Sequence, residues 1–320
     1  MKIFAMKKIA ITGAAGQVAY SLLPRLASGA VLKEPLTLSL LEKKGVALQG
    51  VVEELSDGMF PLLQKVLATE DPKEAFKDAD YILMLGASPR KKGQKREDVA
   101  KINASIFWEQ GRILNEHGKK SASILVVGNP CNDMAWILTQ SAPRFKTRIH
   151  ALTLLDQNRA TYQLAKRANV SVSKVSQVTI WGDHSMPIPD WSYATIDGKP
   201  VQEVIEDKKW LEQDFHRIVQ KRGDEILSLR SFSSALSAAE AILHWLHCME
   251  YPSTFSSAFH SFGNPYGIDE DLIFSFPCIS KGKGDVMIAP NLQWPHHLEK
   301  AIFQAEEKLK KRLLILSHLR

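Results

Sequence analysis

The chain has 320 residues, 45% of them hydrophobic and 24% charged, with a formal net charge of +6; this is the balance of a soluble globular protein of one large or two modest domains. No apolar run approaches the ~20 residues of a membrane span, Ile9-Ala10-Ile11 is too short for a signal core, and the cations are scattered rather than gathered into a nucleic-acid-binding patch. The three cysteines, Cys131, Cys248 and Cys278, lack CxxC spacing, so neither zinc nor a disulfide framework is expected and a reducing cytoplasm is the natural setting.

Residues 7–12 predict a short buried strand, followed by a glycine-rich turn and a helix through 20–26. Residues 36–42 predict a second strand ending in Glu42, 45–55 a helix, 80–86 a third strand, 97–117 a long helix and 123–128 a fourth strand. Short apolar strands alternating with helices imply parallel strands with helical crossovers, a doubly wound α/β sheet. Its ligand crevice lies at the carboxyl ends of the strands. The character changes after about residue 150, which divides the chain into a dinucleotide-binding domain at 1–152 and a catalytic, substrate-binding domain at 153–320. The second half predicts a helix at 157–168 and a strand at 176–181, then a stretch rich in Pro, Asp and Gly at 186–200. A helical region at 206–247 broken near Gly223, strands at 254–260 and 273–280, and a basic terminal helix at 295–318 complete an α+β substrate domain.

The turn Gly13-Ala14-Ala15-Gly16-Gln17-Val18-Ala19 lies between a strand and a helix, the context a Rossmann dinucleotide turn needs. Gly13 permits the tight turn, Gly16 lets backbone N–H groups approach a pyrophosphate at the helix N-terminus, and Ala19 is small enough for the helix to pack on the sheet. Taken alone, the spacing also suits an ordinary βα turn. Glu42 adds weight, because an acid at the end of the second strand accepts hydrogen bonds from adenosine ribose hydroxyls and repels a 2′-phosphate, which favours NAD over NADP. Lys43 and Lys44 beside it work against that preference.

Asp156 and Arg159 stand three residues apart on one helical turn, and His184 lies on a turn after a strand. Singly, Asp156 resembles a helix cap and His184 a structural histidine. Together they fit proton transfer: a carboxylate orients one ring nitrogen and favours the charged imidazole, while the other nitrogen serves as acid or base. Arg159 supplies a planar fork for a substrate carboxylate. Arg90 and Arg96 flank Gly93 in a polar segment after the third strand. That segment is either a solvated basic loop or a lid carrying arginines onto an anionic substrate. No His, Asp or Glu cluster has metal-ligand spacing, so no metal is expected, and His296-His297 is expected at the surface.

With these motifs in order, the chain resembles the NAD-dependent, cytosolic-type malate dehydrogenases over essentially its whole length. The matching segments run from Thr12 to Leu22, from Gly50 to Leu55, from Pro89 to Arg96, from Val127 to Pro130, from Leu155 to Ala160 and from Trp181 to Ser185. The resemblance implies that His184 is the proton donor and acceptor, oriented by Asp156. It implies that Arg159 and Arg90 bind the two carboxylates of malate or oxaloacetate and that Arg96 polarises the reacting carbonyl. Asn129 would touch substrate and nicotinamide ribose. Asn103, Gln110, Val127 and Gly128 would line the NAD site with residues 13–19. The same resemblance implies a cytoplasmic homodimer, an activity of the tricarboxylic acid cycle, and no nucleic-acid or membrane partner.

Three departures stand out. The family usually has Asn where this chain has Asp183, Arg and His where it has Leu154 and Gln157, and Thr-Gln-aromatic-Pro-Asp where it has Met186 to Asp190. Two other readings stay open. A lactate-type 2-hydroxy-acid dehydrogenase is one, against which Arg90 speaks, since lactate has no second carboxylate. A non-catalytic nucleotide-binding protein with a decayed site is the other, against which His184, Asp156 and Arg159 all speak by being present.

Overall fold

In the computed structural model, which describes residues 6–46, 48–88 and 96–317 (96 and 97 by backbone alone), the first half is a parallel sheet wrapped by helices. β1 (Lys7–Thr12), α1 (Gln17–Ala27), β2 (Leu36–Leu41), α2 (Leu48–Asp57), β3 (Leu63–Thr69) and α3 (Pro72–Phe76) come first. β4 (Tyr81–Met84), α4 (Arg96–His117), β5 (Ser123–Val126), α5 (Cys131–Ser141) and β6 (Ile149–Ala151) follow. The strands pair in parallel in the order β3-β2-β1-β4-β5-β6. β2, β4 and β5 are buried along their whole length, so both faces of the sheet are covered. The strand order reverses between β1 and β4, and the ligand crevice of such a sheet opens there, beyond the carboxyl ends.

Four elements of this half escape the sequence pattern. β3 is an edge strand with half its residues exposed, α3 spans one turn, and β6 has three residues. α5 is buried on nearly every side, which erases the polar stripe that marks a surface helix.

The second half opens with α6 (Leu154–Ala168), which begins three residues before the predicted start and has Thr153 at its N-cap. β7 (Val175–Ser176), β8 (Thr179–Asp183), β9 (Met186–Asp190), β10 (Thr195–Ile196), β11 (Lys199–Pro200) and α7 (Val201–Val204) follow. α8 (Phe215–Arg230), α9 (Leu236–Glu250), β12 (Pro252–His260), β13 (Ile273–Gly282), β14 (Asp285–Ile288) and α10 (His296–Ser317) complete the chain. β12, β13, β8 and β9 extend the large sheet beyond β6 in antiparallel pairs, joined to it where Ala258 faces Ala151.

One expectation needs correction. The helical region is not broken at Gly223, which lies inside α8; the break falls at 231–235, where Ser231 takes a left-handed φ of 60°. A single glycine costs a helix about 1 kcal/mol and does not end it. The stretch rich in Pro, Asp and Gly after His184 opens as a strand: Met186–Asp190 forms β9, antiparallel to β8. β9 ends the strand order, and an edge strand tolerates Pro187 and Pro189 because it has one side without a partner.

Candidate active site

Four strand ends and two helix starts meet at the crevice. Gly13 takes a φ of +65°, and a Cβ there would stand 2.6 Å from the Cα of Gly86. The β1 and β4 loops therefore cross where neither can carry a side chain, and the Thr12 hydroxyl accepts the Gly86 N–H at 3.0 Å. Gly86 was not singled out in the sequence; its signal is a glycine at the end of a predicted strand. Gly16 is the N-cap of α1 and offers no side-chain cap, and no acid stands in the first turn. The orphan N–H groups of that turn are thus left for an anion, as a dinucleotide pyrophosphate requires. Ala14 and Ala19 are buried against the sheet, while Gln17 and Val18 start α1. Glu42, just beyond β2, reaches the same turn: its carboxylate accepts the Ala15 N–H at 3.3 Å and the Lys43 N–H at 3.1 Å. These residues fit a nicotinamide dinucleotide.

On the other side of the crevice, Val127 and Gly128 follow β5, and both donate to the Met84 carbonyl, at 3.0 and 3.1 Å. Asn129 is exposed and precedes Pro130 through a cis peptide. Asn103, expected to line the cofactor site, is wholly buried. Its amide accepts from Ser88 N at 2.7 Å and donates to the Asn129 carbonyl at 3.0 Å, so it braces two loops of the crevice. Gln110, two turns along α4, keeps a buried Oε1 without a partner. Arg90 and the side chain of Arg96 lie outside the described residues; the backbone of Arg96 begins α4.

The residues expected to transfer the proton come together from two elements. β8 and β9 are joined by the two-residue turn His184-Ser185, and α6 sets Asp156 and Arg159 opposite it. The carboxylate of Asp156, with 1% of its side chain exposed, divides its oxygens. Oδ2 meets His184 Nδ1 at 2.7 Å, and Oδ1 accepts from Arg159 Nη1 at 3.2 Å. His184 Nε2 has no hydrogen bond among the described residues, and the side chain stays 20% exposed. Burial works against the charged ring, but the facing Asp156 carboxylate outweighs it and holds the His184 pKa above its ordinary value. Arg159 lowers that pKa slightly and Asp183 raises it slightly. The guanidinium of Arg159 also donates from Nη2 to Ser234 Oγ at 3.1 Å, and its Nε is buried with no acceptor. A buried donor without an acceptor among the described residues suits a site that receives a carboxylate. A Cβ on Gly223 of α8 would stand 3.8 Å from Arg159 Nη1, in ordinary contact with the fork.

A second layer holds the turn. Asn132 Oδ1 accepts the backbone N–H of His184 at 3.2 Å, and its Nδ2 donates to the Ile273 carbonyl at 2.9 Å. Asp183 makes no hydrogen bond to the histidine ring; its carboxylate accepts Ser185 N at 2.5 Å and Arg312 Nη2 at 3.1 Å. Arg312 of α10 also meets Asp133 of α5, from Nη2 at 2.8 Å and from Nε at 3.1 Å. Burial pushes the Asp133 carboxyl up to about 6, against the lowering pull of Arg312. Asn132, Asp133, Ser234 and Arg312 carry no local sequence signal, because only tertiary packing brings them to His184.

The comparisons with known proteins agree with this geometry. The family model for the NAD-binding domain of lactate/malate dehydrogenases matches residues 7–151, and that for the α/β C-terminal domain matches residues 153–316. The chain is 46% identical to a malate dehydrogenase of Protochlamydia amoebophila, covering 98% of each protein. It is 44% identical to an NADP malate dehydrogenase of Pisum sativum chloroplasts, over 97% of this chain and 73% of that one. The solved malate dehydrogenase of Naegleria fowleri superposes with a TM-score of 0.95 at 35% identity, covering all of both chains.

Proposed function

The chain belongs to the lactate/malate dehydrogenase family, and from that premise we propose that it interconverts (S)-malate and oxaloacetate with NAD. The observation that carries this reading is the His184–Asp156–Arg159 group, in a chain whose first βα turn is glycine-rich and uncapped. A bound nicotinamide supplies the acceptor of a hydride from malate and the donor of one to oxaloacetate. In oxidation, neutral His184 takes the hydroxyl proton at Nε2 while Asp156 stabilises the resulting imidazolium. In reduction, charged His184 returns the proton to the developing alkoxide. Arg159 grips the carboxylate next to the reacting carbon, which fixes the orientation of the substrate. Arg90 is proposed to take the second carboxylate and Arg96 to polarise the carbonyl; Asn129 is proposed to touch substrate and nicotinamide ribose.

Glu42 supports NAD as the cofactor, since its carboxylate lies against the turn where a 2′-phosphate would meet a like charge. Exposed apolar residues on three helices and one connection, Tyr20, Tyr162, Leu236 and Phe232, support a homodimer, to be checked by light scattering. Buried free cysteines support a cytoplasmic setting. Among the described residues no helix is long and apolar enough to cross a membrane.

The test is oxidation of NADH by oxaloacetate, run beside pyruvate and beside NADPH. Oxaloacetate with NADH is expected to be fastest. Faster turnover of pyruvate favours the lactate-type reading, and equal use of NADPH removes the role given to Glu42.

A further inference from the structure

The turn that carries His184 is pinned from behind by one guanidinium. Arg312 is distant in sequence, on the terminal helix, yet two of its nitrogens reach the two neighbours of the histidine. Nη2 meets Asp183 Oδ2 at 3.1 Å, and Nη1 meets Ser185 Oγ at 3.1 Å. Nε and Nη2 together hold Asp133, which anchors the cluster to α5. Asp133 and Asp183 have 4% and 3% of their side chains exposed, whereas Arg312 keeps 32%. Two buried carboxylates side by side repel each other and resist ionisation, and a planar cation between them is the arrangement that relieves both. The aspartate at position 183, where the related enzymes usually have asparagine, therefore comes with its own counter-ion.

We propose that Arg312 is a positioning residue for the reaction, fixing the His184-Ser185 turn against α5 and cancelling the charge that Asp183 places beside the imidazole. The inference rests on the assignment of His184 as the proton-transfer group. Five charged groups surround the ring among the described residues. Asp156 and Arg159 face it from α6, Asp183 adjoins it in β8, and Asp133 of α5 and Arg312 of α10 stand behind the turn. Asp156 sets the main preference for the charged ring. Removing Arg312 leaves Asp133 and Asp183 to share one proton, which falls to Asp133, already pushed up by burial; Asp183 keeps its charge, and its field adds to that of Asp156. The imidazolium becomes harder to discharge while the turn becomes looser.

The experiment compares Arg312→Gln, Arg312→Lys, Asp183→Asn and the double variant Asp183→Asn/Arg312→Gln. Two readouts are taken: the pH profile of NADH oxidation by oxaloacetate, and the titration of the His184 ring by NMR, which needs no turnover. Arg312→Gln is expected to lower turnover by ~10-fold through misplacement of the ring. It should also raise the alkaline limb and the NMR midpoint by about half a pH unit or more. Arg312→Lys should restore the midpoint but only part of the turnover, since it keeps the charge and loses the fork. Asp183→Asn should move the midpoint down, and the double variant should cancel the upward shift. If Arg312→Gln does not fold, the downward shift in Asp183→Asn carries the test, and an unmoved midpoint there overturns the proposal. A folded Arg312→Gln with an unmoved midpoint also overturns it, whatever happens to thermal stability. Absence of oxaloacetate turnover in the unaltered protein would count against the assigned substrate, and the NMR titration would still decide the role of Arg312.

Discussion

Asp156 does two jobs with one carboxylate. One oxygen holds His184 Nδ1 and the other holds Arg159, so the proton-transfer group and the carboxylate-binding fork are fixed in a single frame. This coupling makes Asp156→Asn informative. An amide cannot favour the imidazolium as a carboxylate does, so the raised pKa of His184 falls back. Reduction of oxaloacetate needs the charged ring and is lost as pH rises through that pKa; its alkaline limb should move to lower pH. Oxidation of malate needs the neutral ring, and its acid limb should move to lower pH in step. Turnover in both directions should drop at least ~10-fold, because the ring also loses its orientation. Paired pH profiles in the two directions check this, and limbs that stay in place would show that Asp156 does not set the charge of the ring.

Gly223 shows how a helix can be part of a site without contributing a side chain. It sits inside α8, and the Arg159 guanidinium is the group nearest to where a side chain would start. Gly223→Ala should raise the melting temperature slightly, since alanine gains up to about 1 kcal/mol over glycine within a helix. Gly223→Leu should keep the helix but extend into the space above Arg159, raising KM for oxaloacetate at least ~10-fold while cofactor binding stays unchanged. A KM unmoved by the leucine would place the substrate carboxylate elsewhere. Gly223 also illustrates what the chain reveals unaided. Read linearly, a glycine in a helical stretch suggests a break. The break at 231–235 falls instead where Ser231 turns left-handed, with no glycine to mark it. The strands β1, β2, β4 and β5 are legible because burial on both faces keeps them short and rich in Ile and Leu. α5 is not, because burial on all sides removes the helical period.

The two halves of the chain meet in one continuous sheet, with nucleotide-binding elements on the parallel side and proton-transfer elements on the antiparallel side. Motifs that are local in sequence, such as Gly13 to Ala19 or Asp156 with Arg159, were readable before the fold was known. Groups joined only by folding were not: Gly86 against Gly13, Ser234 on Arg159, and Arg312 behind His184. The central claim is that the antiparallel half supplies the proton while the parallel half holds the cofactor. It is tested most directly by His184→Ala, measuring NADH binding by fluorescence and NADH oxidation by oxaloacetate on the same preparation. NADH should bind nearly as in the unaltered protein, with turnover lower by at least ~100-fold. Near-normal turnover in that variant would show that the proton comes from another group and would contradict the account.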